Sequence, residues 1–337
     1  MDTTMTGLEA ITGTLPAGYR AREFRDSDRE PWVADRNAER HELQQGTADE
    51  WRDWEKLSPP ENLYRITVEA VGQGPAALID IGPGFLPRPD GTLQGGVGVM
   101  SAHRGKGLGS ALLEVMEAEA QRRKAPRILA NAESSQQGAL EWAVKHGYKE
   151  IGRRIESYVM VQSFDATPFS DVVDRVTTSG LAVRSLDQVL AGRDEAATER
   201  FWRDLYDADA PMWEDVPWAT PTPHMPWDKF RKMMVESGKI IPQATILALD
   251  GDTIAGYTST GKTGTDRGYT YMTGTGRDYR GRGIATALKV AMLAGAKKAG
   301  LRAMLTTNDE PNKAMRGINA KLGYVMLPAH IELEKQL

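Results

Sequence analysis

The sequence predicts an α/β protein with a mixed sheet, built as two tandem repeats. A short glycine-rich pattern occurs twice, at residues 103–109 and 279–285, with an offset of 176 residues. The same offset carries the Gly-Tyr pair at 147–148 onto the Gly-Tyr pair at 323–324, so two motifs about forty residues apart stay in register without a gap. Strand-like and helix-like runs also alternate in the same order in both halves, which indicates a repeat of one structural unit.

The elements of the first half follow from residue type and spacing. Apolar and β-branched runs predict strands, and a Pro- and Gly-rich segment at 82–91 predicts a loop between two of them. After the glycine-rich pattern, apolar residues from Leu108 to Met116 recur at helical spacing. In chain order we predict strands at 65–71, 76–81 and 94–100, a helix from 108, a strand at 127–130, a helix at 137–145 with its cap at 146–147, and a strand pair ending near 163.

The second half repeats this order. A hairpin is predicted around Asp250-Gly251, and a strand at 268–275 leads into the second glycine-rich pattern. Ile284, Ala287 and Leu288 then form the apolar stripe of a helix. Residues 166–180, with Pro168 and several Ser and Thr, are predicted to be a linker between domains at 1–165 and 181–337.

Composition excludes several classes of function. The chain has 42 basic and 46 acidic residues and a formal net charge of −4, which is unlike a nucleic-acid-binding protein. It has no apolar run near the ~20 residues of a membrane span and no signal-peptide pattern, so we expect a cytoplasmic protein without a membrane partner. The chain has no cysteine and its five histidines are scattered, which predicts no disulfide, no cysteinyl acyl-enzyme and no metal site.

Each glycine-rich pattern is suited to bind a pyrophosphate. Glycines let the backbone approach the phosphates, the following helix presents unpaired N–H groups, and Arg or Lys side chains add positive charge. The spacing R-x-x-G-x-G/A resembles the acyl-CoA loop of the GCN5-related N-acetyltransferases (GNAT). Residues 308–324 similarly resemble a second stretch of that family, in the variant N-x-x-M-x-x-I-N-x-x-L-G-F. One copy of the loop could be an ordinary glycine-rich turn, but duplication in register argues against it.

The resemblance implies two tandem GNAT domains related by a pseudo-two-fold repeat, in a layout similar to that of mycothiol synthase, with acetyl-CoA as cofactor. It also implies that the strand before each loop pairs with the pantetheine arm. The implied CoA-binding residues of the second half are Thr273, Gly274, Thr275, Arg280, Gly281, Arg282, Gly283, Ile284, Ala285, Thr286 and Asn312. Those of the first half are Val97, Gly98, Val99, Arg104, Gly105, Lys106, Gly107, Leu108, Gly109 and Ser110.

Two departures from the family pattern favour the second half as the catalytic one. Many family members have a Tyr general acid seven residues after the Asn, but this chain has Asn319 there and Ala143 in the first half. The Asn itself is Asn312 in the second half and Gln136 in the first. The strand before the second loop also lacks a carboxylate. The candidate catalytic residues are therefore Asn319 and Tyr271, together with Glu214 and Asp215 from the segment before the hairpin.

The segment 207–218 and its continuation to Trp227 combine carboxylates with aromatic residues. Acidic groups beside aromatic faces suit a cationic amine, by ion pairing and cation–π contact. The candidate acceptor-binding residues are Asp209, Trp213, Trp218 and Trp227, and the alternative is a solvated acidic loop with Trp anchors in the core.

The resulting hypothesis is an acetyl-CoA-dependent N-acetyltransferase of a small-molecule amine, such as an antibiotic, a secondary-metabolite intermediate or a thiol precursor. The expected oligomeric state is a monomer or a homodimer. The alternatives are a protein N-acetyltransferase and a non-catalytic acyl-CoA-binding sensor.

Overall fold

The computed structural model describes residues 5–57, 62–218 and 220–337, and side chains from residue 8 onward. The chain divides into two compact units. Unit 1 consists of Met1–Arg153, Thr220–Pro223 and His330–Leu337, and unit 2 consists of Arg154–Ala219 and His224–Ala329.

From residue 64 to 160, and again from 246 to 326, the described chain has three strands, a helix, a strand, a helix and a strand, which is the order that the sequence predicts. The helices are α1 Met5–Thr14, α2 Arg29–Ala38, α3 Ala48–Leu57, α4 Leu108–Arg122, α5 Gln137–Lys145, α6 Ser170–Thr178, α7 Leu186–Leu190, α8 Glu195–Glu214, α9 Trp227–Arg231, α10 Ile284–Lys298 and α11 Lys313–Lys321. The strands are β1 Tyr19–Glu23, β2 Tyr64–Ala70, β3 Gly74–Gly82, β4 Leu93–Val99, β5 Arg127–Glu133, β6 Lys149–Met160, β7 Ala182–Ser185, β8 Ile246–Asp250, β9 Thr253–Thr263, β10 Arg267–Thr275, β11 Ala303–Asp309, β12 Val325–Met326 and β13 His330–Gln336.

The sheet of unit 1 has the strand order β1-β2-β3-β4-β5-β13. Strands β1 to β4 pair antiparallel, β4 and β5 pair parallel, and β13 pairs antiparallel with β5. Helix α4 packs on β3 and β4 through its apolar stripe. Ile66, Ile79, Leu112 and Met116 are fully buried there and form the core of the unit.

The sheet of unit 2 has the corresponding order β7-β8-β9-β10-β11-β6, with the short β12 also paired to β6. Only the pair β10–β11 is parallel among these neighbours. Helix α10 packs on this sheet and buries Ala287, Leu288 and Leu293 against strand residues such as Ile246 and Met304. The mixed α/β architecture expected from the sequence is therefore present in both units.

The last strand of each repeat lies in the sheet of the other unit. In unit 2, β6 pairs with β11 so that Arg154 lies opposite Asp309. In unit 1, β13 pairs with β5 so that His330 lies opposite Glu133. The two registers are equivalent, because each position in β13 and β11 is 176 residues after its counterpart in β6 and β5.

The strand exchange changes the predicted domain division. Unit 2 begins at Arg154 rather than at 181, and residues 330–337 belong to unit 1. The segment 166–180, predicted to be a linker, contains α6, because its apolar residues Val173 and Val176 pack into the core of unit 2.

Two searches of the described residues bear on the site. None of their helices combines the length and the apolar character that crossing a bilayer requires. They also contain no group of three or more His, Asp or Glu placed to hold a metal ion.

Candidate active site

The glycine-rich loop of unit 2 connects the end of β10 to the start of α10. Gly281 has φ 76° and Gly283 has φ 81°, a left-handed backbone that favours glycine at both positions. Gly283 is the N-cap of α10, and no side chain of the described residues caps the helix. The first N–H groups of α10 are therefore oriented to bind an anion, with the helix dipole favouring negative charge.

Three side chains fix the shape of this loop. The Nε of Arg280 donates to the Thr275 carbonyl at 3.1 Å, across the base of the loop. Arg282 donates to the Asp278 carbonyl at 2.9 Å. On the other side of the loop α6 approaches closely, since a Cβ on Gly283 would lie 2.6 Å from Cγ2 of Val172. Arg280 and Arg282 thus place two guanidinium groups beside the helix N-terminus.

Asp215 is bound to the arginines of the loop. Its carboxylate accepts hydrogen bonds from Arg277 at 2.8 Å and from Arg280 at 2.5 Å. These bonds hold the pKa of Asp215 well below its usual range. A carboxylate so stabilised is a poor proton acceptor, so the geometry argues against Asp215 as the general base. Glu214 is exposed and lies 3.7 Å from Arg277, so it is also directed to the loop.

The loop of unit 1 makes the same internal contacts. The Nε of Arg104 donates to the Val99 carbonyl at 3.1 Å, and Lys106 donates to the Ala102 carbonyl at 3.1 Å. Gly105 and Gly107 have φ 73° and 83°. The donors Arg104 and Lys106 and the acceptors Val99 and Ala102 are each 176 residues before their counterparts in unit 2, so the two loops have the same structure.

The carboxylate partner of the loop is also repeated. Arg104 forms two hydrogen bonds with Glu39, at 2.6 and 2.8 Å, and Glu39 is 176 residues before Asp215. Glu39 and Asp215 are the C-caps of α2 and α8. Helix α8 has 20 residues and α2 has 10. The extra length of the second repeat therefore lies before Asp215, in the elements α7 and α8.

Strand β10 separates from β11 before it reaches the loop. The two strands pair only from Arg267 to Thr270, whereas β10 stays paired with β9 as far as Thr275. A register shift against β9 occurs between Thr270 and Met272, so Tyr271 lies at the bulge. The backbone of residues 271–275 is consequently free of β11 pairing on one side. An extended amide-containing chain could bind there as an added strand.

Strand β4 of unit 1 shows the same separation. It pairs with β5 only at Leu93 and Gln94, so residues 95–99 have no β5 partner. Both segments that the resemblance assigns to the pantetheine arm, 97–99 and 273–275, thus lie where a parallel strand pair opens.

Asn312, expected to bind CoA, and Asn319, a candidate catalytic residue, both have structural contacts. Asn312 is the N-cap of α11, and its Oδ1 accepts the Met315 N–H at 3.2 Å. Asn319 is 3% exposed, and its Nδ2 donates to Asn308 Oδ1 at 2.7 Å. A buried amide is not an acid, so the structure argues against Asn319 in the role that Tyr has in other members. It joins α11 to β11 instead.

The side chain of Tyr271 packs on Gly261 of β9. A Cβ atom added to Gly261 would lie 2.4 Å from the hydroxyl oxygen of Tyr271. Its ring is 5.8 Å from that of Tyr269, whose hydroxyl donates to Thr307 Oγ1 at 2.6 Å. Burial raises the pKa of Tyr271 above its ordinary value. The phenol therefore stays protonated near neutral pH, as a proton donor to a leaving thiolate must.

Asp209 is buried instead of being exposed to an amine. It is 4% exposed, and its two carboxylate oxygens accept hydrogen bonds from Tyr257 at 2.5 Å and from His224 at 2.9 Å. An acceptor amine cannot reach it directly, so the expectation that Asp209 binds the amine conflicts with its burial. Sequence reasoning did not single out His224 as functional. The only signal was its place in the acidic and aromatic segment.

The tryptophans divide into two groups. Trp213 and Trp218 pack with ring centroids 4.7 Å apart, and Trp213 also lies 6.1 Å from the His224 ring. Trp227 instead packs on Tyr206 and is covered by the guanidinium of Arg203 at 3.7 Å. Trp213 therefore lies next to His224 with Trp218 packed against it, whereas the guanidinium group of Arg203 already covers one face of Trp227.

Comparison with known proteins identifies the family. The model of the Acetyltransferase (GNAT) family matches residues 21–148 and again residues 202–324. The chain belongs to this family, as a tandem protein with two copies of the domain. It is an acyltransferase of the N-acetyltransferase type, and members of the family generally bind acyl-CoA.

Solved structures show the same tandem fold. The chain is similar to a GCN5-related N-acetyltransferase from Sphaerobacter thermophilus, with a TM-score of 0.71 at 23% identity over 96% of both chains. It is also similar to a tandem GNAT protein from the clavulanic acid biosynthesis pathway, with a TM-score of 0.68 at 17% identity over 94% of this chain and 98% of that one. No curated protein sequence matches the chain.

Proposed function

We propose that unit 2 transfers an acetyl group from acetyl-CoA directly to the primary amine of a small molecule, in a ternary complex. The observation that carries this proposal is the opening between β10 and β11, which leads straight into an uncapped helix N-terminus flanked by two arginines. These parts match the chemistry of CoA in order: free backbone for the pantetheine amides, then N–H groups and guanidinium groups for the pyrophosphate.

Composition supports transfer without an acyl-enzyme. The sequence has no cysteine, so no cysteinyl acyl-enzyme can form, and attack of the amine on the thioester itself is favoured over a Ser or Thr nucleophile. Residues 271–275 would hold the pantetheine arm, and a backbone N–H of this segment would stabilise the oxyanion. Tyr271, protonated and next to this segment, is the proposed proton donor to the thiolate.

The asymmetry between the units supports unit 2 as the catalytic one. The two loops are alike, but Asn312 caps α11 with its side chain, and Gln136 at the corresponding position of α5 does not cap. The long helix α8 and the Trp213–Trp218 pair, next to His224, also belong to unit 2. These aromatic faces suit a small cationic acceptor.

The test is release of free CoA from acetyl-CoA in the presence of a panel of small amines and of histone-like peptides. Arg280→Ala and Arg104→Ala form a matched pair, because both side chains make the same 3.1 Å contact to the strand and pair with a helix C-cap carboxylate. We expect Arg280→Ala to lower kcat/KM for acetyl-CoA about tenfold and Arg104→Ala to leave it within about twofold.

Three outcomes would contradict the proposal. A larger effect of Arg104→Ala would move the chemistry to unit 1. Turnover of peptides alone would identify a protein acetyltransferase, and CoA binding without turnover of any amine would identify a sensor.

A further inference from the structure

A buried hydrogen-bonded group joins helix α8, strand β9 and the segment before α9. Asp209 accepts the phenol O–H of Tyr257 at 2.5 Å on one oxygen and the Nε2–H of His224 at 2.9 Å on the other. Tyr257 is 2% exposed, and burial beside Asp209 raises its pKa well above the ordinary value, so it remains a donor. A buried carboxylate requires such donors to stay in a protein interior.

This arrangement determines the tautomer of His224. A carboxylate only accepts hydrogen bonds, so Nε2 must carry the proton and Nδ1 must hold a lone pair when the ring is neutral. Nδ1 has no hydrogen-bond partner among the residues that the structure describes. The side chain is 18% exposed. The rings of Tyr206 at 4.8 Å and Trp213 at 6.1 Å restrict its orientation.

The group lies beside β10, the strand that separates from β11. Tyr257 is opposite Gly274 in the β9–β10 pairing, so both positions face the same side of the sheet. Helix α8 crosses this side, because a Cβ on Gly274 would lie 2.6 Å from Sδ of Met212, three residues after Asp209. Tyr257 and helix α8, which carries Asp209, therefore lie beside Gly274 of the free segment, on the face of the sheet away from α10.

Unit 1 provides an internal comparison. Asp209 corresponds to Val33, 176 residues earlier in the helix that ends at the equivalent C-cap. Tyr257 corresponds to Leu78, which lies opposite Gly98 as Tyr257 lies opposite Gly274. Unit 1 forms the same strand order with apolar residues at both positions. The fold does not require the polar group, which points to a role in chemistry.

We propose that His224 is the catalytic base of the acetyl transfer, with Asp209 as its positioning residue and Tyr257 as the anchor of Asp209. This inference rests on the function proposed above for unit 2. Base, orienting carboxylate and anchoring donor form the arrangement that makes a histidine an effective proton acceptor.

The amine nitrogen attacks the thioester carbonyl carbon and forms the N–C bond, while one N–H proton passes to Nδ1 of His224. The tetrahedral intermediate then collapses, the C–S bond breaks, and its electron pair leaves with sulfur. Tyr271 or water protonates the thiolate, the phenolate or hydroxide left behind takes up a proton from solvent, and His224 returns its proton to solvent. One proton thus moves from nitrogen to sulfur overall, without oxidation or reduction.

The experiment measures kcat and KM across pH for the full chain and its variants, using the best amine of the panel. His224→Gln is expected to lower kcat about 100-fold, to remove the acidic limb of the pH–rate profile, and to leave KM for acetyl-CoA unchanged. His224→Ala is expected to regain activity with added imidazole. Asp209→Asn is expected to lower kcat and move the acidic limb, and Tyr257→Phe to do so less strongly.

Two failures are distinguishable. Wild-type protein without turnover of any amine overturns both the proposed function and this inference. Wild-type turnover, with a His224→Gln variant that melts normally and keeps both its kcat within about threefold and its acidic limb, overturns the inference alone. The inference alone is also overturned if His224→Ala is inactive and added imidazole does not restore its activity, while a folded His224→Gln variant remains active.

Discussion

Replacing Lys289 by Leu should stabilise the protein at neutral pH. Lys289 lies in α10 with no exposed surface, and its Nζ has no hydrogen-bond partner among the described residues. Within the described residues, its ammonium group lies over the ring of Tyr324, with Nζ 5.1 Å from the ring centroid. The equivalent position in unit 1 is Leu113, which is 4% exposed. The variant therefore introduces the side chain that unit 1 buries at the corresponding position of helix α4.

The magnitude follows from the pKa. Burial lowers the pKa of Lys289 from 10.5 to about 7. Each pKa unit corresponds to about 1.4 kcal/mol, so protonated Lys289 costs about 5 kcal/mol of folding free energy relative to the neutral form. The unfolded state keeps the proton up to pH 10.5 and the folded state loses it near pH 7, so stability rises with pH between these values. The full cost is present below pH 7.

Losing the contact with Tyr324 offsets about 1 kcal/mol of the gain. We therefore expect Lys289→Leu to be about 4 kcal/mol more stable at pH 7 and to lose the rise in stability between about pH 7 and 10.

The assay is guanidinium denaturation of wild type and variant at several pH values, compared as a difference so that other groups cancel. Lys335→Leu is the control, since this lysine also lies near a tyrosine ring, that of Tyr148 at 5.8 Å, but pairs with Glu117 at 2.6 Å. It should show no comparable gain. A Lys289→Leu variant less stable than wild type at pH 7, or a difference independent of pH, would show that burial of the Lys289 ammonium group does not destabilise the fold.

Three further predictions concern the loop and its neighbours. Asn312→Ala should lower the free energy of unfolding by about 1 kcal/mol through loss of the α11 cap, and Gln136→Ala, its uncapped counterpart, should change it little in the same melts. Gly283→Ala should destabilise by about 2 kcal/mol, and a Val172→Ala background should reduce this, because the new Cβ would meet Val172. Asp215→Asn should keep kcat within about threefold and lower KM for acetyl-CoA, because it frees the loop arginines to bind the cofactor. A 100-fold loss of kcat would instead indicate that Asp215 is the general base.

Local patterns were sufficient for most elements of the fold. The apolar stripes predicted α4 and α10 at their observed starts, Leu108 and Ile284, because the burial of one helix face is a local property of the sequence. The exchange of β6 and β13 was not predictable in this way. Either strand could pair with β5 or β11 in an equivalent register, so only three-dimensional contacts distinguish the two partners.

The site divides along the same line. The glycine-rich loops could be predicted, because a phosphate-binding turn is encoded by adjacent residues. The hydrogen bonds of Asp209 to His224 and Tyr257 span 15 and 48 residues, and no periodicity connects them. Burial of Asp209 depends on how α8 packs on β9. Because of this packing, Asp209, which was expected to bind the amine, is hydrogen-bonded to His224 instead.

The opening between β10 and β11 in unit 2 is the proposed place of the chemistry. A crystal structure with acetyl-CoA and a dead-end amine analogue would show whether both ligands bind there. We expect pyrophosphate at the N-terminus of α10, the pantetheine arm along residues 271–275, and the analogue nitrogen within hydrogen-bond distance of His224 Nδ1. Acetyl-CoA bound only at the N-terminus of α4, along residues 95–99 of unit 1, would contradict this proposal.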